Sequence, residues 1–348
     1  MTLNRPKLFN PEYENKPTSL VNGKSSGVLN WNDILYQQFF TYYKSLLGNF
    51  WTPFEIDMSS DSLQYMTELS EGERDTFRKI IGLLAILDSV QPKFLSLIQM
   101  YLTDDSAKDC MIIVGQQEVV HNHSYSYVLS SVENLTNQNL AFNIARTDED
   151  VYKRNELVLD LYEKAIDEPN IDNFIKALIA SVVLEGINFY SAFAFFYDLA
   201  RHQKMVGTST MISYINRDEL AHTVLIAQII KIILKEEEGN FTIDVEEFAQ
   251  GLFKQAVELE TVWSKKVLAD VEDIDLYEME DYIKYRANKC LSMIGFAPIY
   301  EGVDENSMKW IKAYTNEGDT LGLTKTDFFE QRPREYAKVD DDNGFDDL

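Results

Sequence analysis

Glutamate and histidine stand three residues apart twice in a chain that has only four histidines: Glu118 and His121 in QQEVVHNHSY, Glu219 and His222 in INRDELAHTV. On a helix, positions i and i+3 share a face, so each pair aims a carboxylate and an imidazole at one point. An acid lies upstream of each pair in apolar sequence. Asp88 in IIGLLAILDSVQ precedes Glu118 by 30 residues, and Glu185 in VLEGINFYSAFAFF precedes Glu219 by 34. A carboxylate in such a setting is costly to bury unless it is paired or metal-bound. A single Glu-x-x-His is a weak signal and usually marks a solvated or capped helix. Two copies, each with its own upstream acid, supply four carboxylates and two imidazoles and no thiolate, a donor set suited to two divalent iron or manganese ions.

Tyr125 follows His121 by four residues and Glu118 by seven, which puts its phenol on the same helix face, one turn beyond the imidazole. Phe189 and Phe193 after Glu185, Ile215 before Glu219 and Ile81 before Asp88 have helical spacings that let them surround that phenol with apolar groups. Alone, a buried tyrosine is an ordinary core residue. Beside a redox-active metal pair it could be oxidised, and an apolar cage would shield the radical from reductants and water. His123 lies two residues past His121 and so points off the ligand face. His202 has no comparable context, and both are expected at the surface or around the ligands. Cys110 and Cys290 form no CxxC pattern and are expected to be reduced core thiols of a cytosolic protein.

The elements that must position these groups are helical. Residues 1–30 hold Pro6, Pro11, Pro17, Gly23 and Gly27 and read as an irregular arm. From Trp31 onward apolar residues recur at helical spacing. Only Pro92 and Pro169 lie between Pro53 and Pro298, and no hairpin signal interrupts them. The pattern predicts eight helices near 33–49, 71–102, 105–132, 149–167, 171–201, 208–238, 244–270 and 276–294, with Gly295 just past the last. The helix around Glu185 is apolar nearly all round and belongs at the centre of a bundle. The expected fold class is all-α, a ferritin-like helical bundle with a binuclear metal site in a four-helix core. The expected organisation is an arm over 1–30, the helical domain over 31–300 and a flexible tail over 301–348, whose acidic end has too little apolar content to pack.

With 45% hydrophobic and 26% charged residues, the composition is that of a globular protein. A formal net charge of −25 disfavours nucleic acid and anionic membranes as partners. The start MTLNRPKLFN lacks the apolar stretch of a signal peptide, and the longest apolar run, SVVLEGINFYSAFAFF, is interrupted by Glu185 and Asn188. No Gly-rich phosphate loop or Walker lysine is present, so no nucleotide site is expected in this chain.

On these residues the chain resembles the small, radical-generating (beta) subunit of class I ribonucleotide reductase. The resemblance covers roughly 31–348 and rests on NFWTPFEIDMS, LLAILDSVQ, QEVVHNHSY, VLEGINFYSAFAFF, INRDELAH and KTDFFEQRPREY in that order. It implies that Asp88, Glu118, His121, Glu185, Glu219 and His222 hold two metal ions, with iron favoured and manganese the alternative. It further implies that an oxygen-derived oxidant makes a stable radical at Tyr125, and that Trp51, Asp218 and Tyr336 transfer it. Asp218 is expected to bond the outer nitrogen of His121 and to contact Trp51. A phenylalanine at position 125 would mark the variant with a mixed manganese/iron centre, and loss of the acids the metal-free variant; neither departure occurs. The resemblance also implies a large (alpha) subunit that reduces ribonucleotides, docked by residues 343–348 with Phe345 and Leu348 as apolar anchors. A homodimer, a flavoprotein activase if manganese is used, and a cytoplasmic location complete what it implies. Two other readings use the same ligands. A related oxidase acting on a lipid-like ligand would have no use for Tyr336 or a docking tail. A non-enzymatic ferritin-like metal-binding protein would need neither a caged tyrosine nor the Trp51–Asp218 pair.

Overall fold

Side-chain caps fix where most of the helices begin. Asp104 accepts from the Ala107 backbone N–H (3.0 Å), Asp148 from Val151 (3.1 Å), Asn170 from Asn173 (3.0 Å) and Asp244 from Glu247 (3.0 Å). Each supplies one of the acceptors that a helix start otherwise lacks. Ser70 and Glu73 form a reciprocal capping box. The computed structural model describes residues 1–314, and these contain eleven α-helices. They are α1 (Gln38–Gly48), α2 (Ser59–Thr67), α3 (Glu71–Ile98), α4 (Asp105–Val132), α5 (Leu135–Thr147), α6 (Glu149–Asp167), α7 (Ile171–Val183), α8 (Tyr190–Arg201), α9 (Val206–Glu236), α10 (Val245–Val267) and α11 (Leu276–Ile294). No strand occurs among the described residues, only isolated bridges between Thr2 and Asn170 and between Val21 and Leu102.

Three departures from the predicted helices have physical reasons. α1 starts at Gln38 rather than near 33, and no side chain caps its first turn. The short α2 and α5 occupy stretches predicted as connections; both are only weakly amphipathic, so apolar periodicity gives little sign of them. The predicted helix 171–201 is interrupted. α7 ends at Val183, Leu184–Asn188 form a π-helical turn, and α8 resumes at Tyr190. Turns of this kind hold one residue more than an α-turn and cluster at functional sites.

α3 packs along α4, α7 and α8 pack along α9, and α4 meets α9. These elements enclose the core, with α10 and α11 against the π turn, α6 against α7 and α10, and α5 against α3. At Gly82 on α3 a Cβ would lie 2.1 Å from the Ala141 carbonyl oxygen, so the close approach of α3 and α5 requires glycine there. Residues 1–30 are irregular but fastened to the bundle. Leu3 N–H donates to Pro169 O (3.0 Å), Thr103 N–H donates to Leu20 O (2.6 Å), and Leu3, Leu20 and Val21 are buried. By length and apolarity alone, the stretches Glu71–Tyr101 and Ile171–Arg201 could cross a bilayer, a test that buried core helices also pass. The protein itself buries 61% of the apolar window of the first and 100% of the second. Tyr336 and the expected docking segment 343–348 lie outside the described residues.

Candidate metal centre

All six candidate ligands are buried, and they meet in the middle of the bundle. Asp88 comes from α3, Glu118 and His121 from α4, Glu185 from the π turn, and Glu219 and His222 from α9. Their ligand atoms fall into two groups, each with its atoms within 4.8 Å of one another: Asp88, Glu118, His121 and Glu219, and Glu118, Glu185, Glu219 and His222. Glu118 and Glu219 belong to both. The arrangement would therefore suit two cations, Asp88 and His121 being within reach of one, Glu185 and His222 of the other, and Glu118 and Glu219 of both.

Both imidazoles turn Nδ1 inward. His121 Nδ1 lies 2.9 Å from Glu219 Oε1, and His222 Nδ1 lies 3.0 Å from Glu118 Oε1 and 3.3 Å from Glu185 Oε2. The outer nitrogens fix the tautomers. His121 Nε2–H points at Asp218 Oδ2 (3.3 Å), and His222 Nε2–H donates to Gln117 Oε1 (2.9 Å). The Gln117 amide nitrogen donates to Leu46 O (3.2 Å), which holds its oxygen toward His222. In the neutral ring each Nδ1 thus has its lone pair toward the centre, the usual division of labour in a metal-ligating histidine.

Several of these polar atoms have no hydrogen-bonding partner in the protein, namely both oxygens of Asp88, Glu118 and Glu219 and the Nδ1 of His121. Buried carboxylates so placed are expensive unless cations compensate them. Without metal the site can balance charge only with protons. Burial, reinforced by the charge of Glu118, raises Asp88 well above the usual carboxylate range, and burial with Glu185 does the same to Glu219. Burial opposes charge on the imidazoles too, but Asp218 and Glu118 lift His121 to about 9, and Glu185 and Glu118 lift His222 to about 10. At Glu118 burial acts upward but is outweighed by the neighbouring His121 and His222 imidazoles, which bring it to about 2.

Metal must displace these protons. At pH 7 both imidazoles are protonated in the metal-free protein, since about 9 and about 10 both lie above 7, so loading two ions releases at least two protons per chain. Adding Mn(II) to metal-free protein in weakly buffered solution should lower the pH accordingly, and affinity should fall as the medium becomes more acidic. Uptake with no proton release would contradict this charge arrangement.

Tyr125 is buried on α4, and its hydroxyl has no hydrogen-bonding partner. Burial and the neighbouring Asp88 charge push the phenol well above its ordinary pKa, so it stays protonated. Ile81, Phe189, Phe193 and Ile215 are all fully buried, and the Phe189 and Phe193 rings stack at 5.6 Å. On the other side of His121, Trp51 Nε1–H donates to Asp218 Oδ2 (2.7 Å), and the indole lies over the imidazole with ring centroids 6.1 Å apart. Asp218 is held low despite burial, chiefly by Arg217, which forks onto Oδ1 at 3.0 and 3.1 Å and also donates to Asn49 O (2.9 Å). His123 and His202 are exposed, the first edge-on to Phe54 and the second 3.3 Å from Asp273. Cys110 and Cys290 are buried and form no disulfide among the described residues.

Sequence reasoning missed the polar groups around the ligands. Gln117 and Arg217 are next in sequence to Glu118 and Asp218. Gln91, three residues after Asp88, bonds Glu185 and Ser181 through its amide nitrogen, and its oxygen accepts from Tyr162 O–H (2.7 Å). Helical spacing from Asp88 would have found Gln91. Nothing in the sequence marks Tyr162, which stacks on Phe94 at 3.6 Å.

The family whose description is "Ribonucleotide reductase, small chain" matches residues 28–307. The ribonucleoside-diphosphate reductase subunit beta of Halalkalibacterium halodurans is 45% identical over 347 residues, covering 99% of both chains. Among solved structures, the ribonucleotide reductase R2 subunit of Clostridium botulinum is 37% identical and covers 90% of this chain and 99% of its own, with a TM-score of 0.86. The Streptococcus sanguinis dimanganese(II)-NrdF shares the fold at 24% identity, with coverage of 82% and 99% and a TM-score of 0.73.

Proposed function

Because this chain belongs to the ribonucleotide reductase small-chain family, we propose that the buried cluster of carboxylates and imidazoles is the dimetal centre from which Tyr125 is oxidised. The chain is the small subunit of a ribonucleoside-diphosphate reductase and works with a large subunit that reduces the ribonucleotides. The observation that carries the proposal is the meeting of six ligand side chains from four segments of the bundle beside one buried phenol.

Asp88, Glu118, His121, Glu185, Glu219 and His222 would hold two ions, iron or manganese. Bound there, the pair supplies the oxygen-derived oxidising power that removes one electron from a phenol. The chain's own residues do the rest. Tyr125 gives up its electron together with its hydroxyl proton, and Asp88 is the carboxyl group closest in influence to that hydroxyl. The apolar walls keep reductants and water from the resulting radical. Asp218 holds the Trp51 indole N–H at Oδ2 and can take its proton when Trp51 is transiently oxidised. Tyr336 is the proposed next carrier.

The remaining reading concerns organisation and partners. We assign an arm over 1–30, the helical domain over 31–300 and a tail over 301–348 whose residues 343–348 dock to the large subunit. A homodimer, a cytoplasmic location and, with manganese, a flavoprotein activase belong to the same reading. Reductase relatives that match nearly the whole length favour it over a lipid-ligand oxidase or a storage bundle.

Loaded with Fe(II) in air and mixed with its large subunit, the full chain should reduce ribonucleoside diphosphates, whereas alone it should reduce none. A chain ending at residue 342 should still form the radical, yet support only background reduction. Full activity of that truncated chain would overturn the docking assignment.

A further inference from the structure

A π turn widens the helix and frees carbonyl groups from regular pairing. Here two carbonyls of the turn are met by buried guanidinium groups from two other helices. Arg154 of α6 donates through Nη2 to Asn188 O, and Arg286 of α11 donates through Nε to Gly186 O (3.2 Å). Both side chains are buried, at 1% and 0% exposure, where a cation without acceptors would be very costly. Their surroundings fix them in place. Glu260 of α10 bonds both Arg154 Nε and the Ser191 hydroxyl, the Trp263 ring lies 5.2 Å from the Arg154 guanidinium, and the Tyr190 ring lies 3.5 Å from that of Arg286. One turn after Arg286, Cys290 presses on the same residue of the π turn: a Cβ at Gly186 would sit 2.3 Å from its Sγ.

The residue preceding Gly186 is Glu185, which faces His222. Converting the π turn to an α-turn would displace one residue and rotate what lies on one side of it by about 100° relative to the other. Glu185 could then no longer share a centre with His222 while Phe189 and Phe193 kept their places in the core. We propose that Arg154 and Arg286 are positioning residues for Glu185, gripping two carbonyls of the π turn just after it, those of Gly186 and Asn188, so that its carboxylate is delivered to the His222 half of the centre. This inference rests on the dimetal reading and adds to it a distinct claim, that the two arginines support one half of the site selectively.

The test is anaerobic Co(II) titration of the metal-free full chain, followed by visible absorption, for wild type, Arg286→Met, Arg286→Lys, Arg154→Lys and a His222→Ala comparator. Wild type should take up two ions per chain. Arg286→Met should weaken one ion by about 10–100-fold, the scale for loss of a group that orients a ligand, and the spectral component lost should be the one missing in His222→Ala. The two lysine variants keep a charge and a donor but not the planar fork, and they should show a smaller loss confined to the same ion. Equal weakening of both ions, or no weakening of either, would overturn the proposal. Should Arg286→Met fail to fold by circular dichroism, the lysine variants decide the matter by the same criterion. If wild type itself binds fewer than two ions, the dimetal reading fails separately. The clamp is then judged by amide hydrogen exchange over 184–190 in the metal-free protein, which should quicken in the arginine variants and would be unchanged if the arginines do not hold the turn.

Discussion

Tyr125→Phe should bind two metal ions as the parent does, form no organic radical, and lose reductase activity by about 10³-fold or more, the scale for removal of a group at which the reaction itself occurs. The substitution removes one oxygen whose hydroxyl makes no hydrogen bond, so it leaves no partner orphaned and nearly conserves volume. Folding stability should consequently change by less than about 1.5 kcal/mol. That separation makes the variant informative, because metal content and melting temperature stay fixed while radical and turnover vanish. Electron paramagnetic resonance of protein grown with ring-deuterated tyrosine identifies the radical in the parent, and metal analysis checks the variant. An undiminished tyrosyl signal in Tyr125→Phe would move the radical elsewhere. Another buried phenol near the ligands is Tyr162, but its hydroxyl donates to the Gln91 amide oxygen, which is not a base that could take its proton.

Trp51→Phe should separate making the radical from using it. The indole N–H is the only group it offers to Asp218, and Asp218 keeps its bonds to Arg217 and its approach to His121 when that N–H is gone. The dimetal centre should therefore assemble and Tyr125 should still be oxidised, while reduction by the mixed subunits falls by about 10²-fold or more, as expected when a reacting group is lost. The combination to measure is radical yield per chain beside turnover with the large subunit. Parental turnover in Trp51→Phe would remove Trp51 from the route. Loss of the radical itself would instead place Trp51 in the oxidation step.

The candidate ligands were legible because helical geometry is regular. With α4 running unbroken over Asp105–Val132, the three-residue and four-residue spacings of Glu118, His121 and Tyr125 translate directly into one face. Asp218 was legible only through resemblance, since on spacing alone the neighbour of Glu219 faces elsewhere; its partners come from α4 and from the loop carrying Trp51. The π turn was not legible. Glu185, Gly186 and Asn188 break the apolar run there, but nothing in that pattern marks an extra residue in the helix, and the groups that meet the turn come from far along the chain: arginines from positions 154 and 286 and a thiol from position 290. Gln117 and Gln91 escaped notice for a related reason. Glutamine has no signature in sequence, and each acquires its role only by which carbonyl or hydroxyl turns its amide toward His222 or Glu185. α2 and α5 were missed because their burial comes from neighbours rather than from a strong apolar stripe of their own.

The binuclear centre is tested most directly by anomalous diffraction at the metal absorption edge from crystals of the metal-loaded protein. Two peaks are expected inside the bundle, one bonded to His121 Nδ1 with Asp88 and one to His222 Nδ1 with Glu185, both reached by Glu118 and Glu219. A single peak, or metal found only at the acidic surface, would contradict a two-ion centre beside Tyr125.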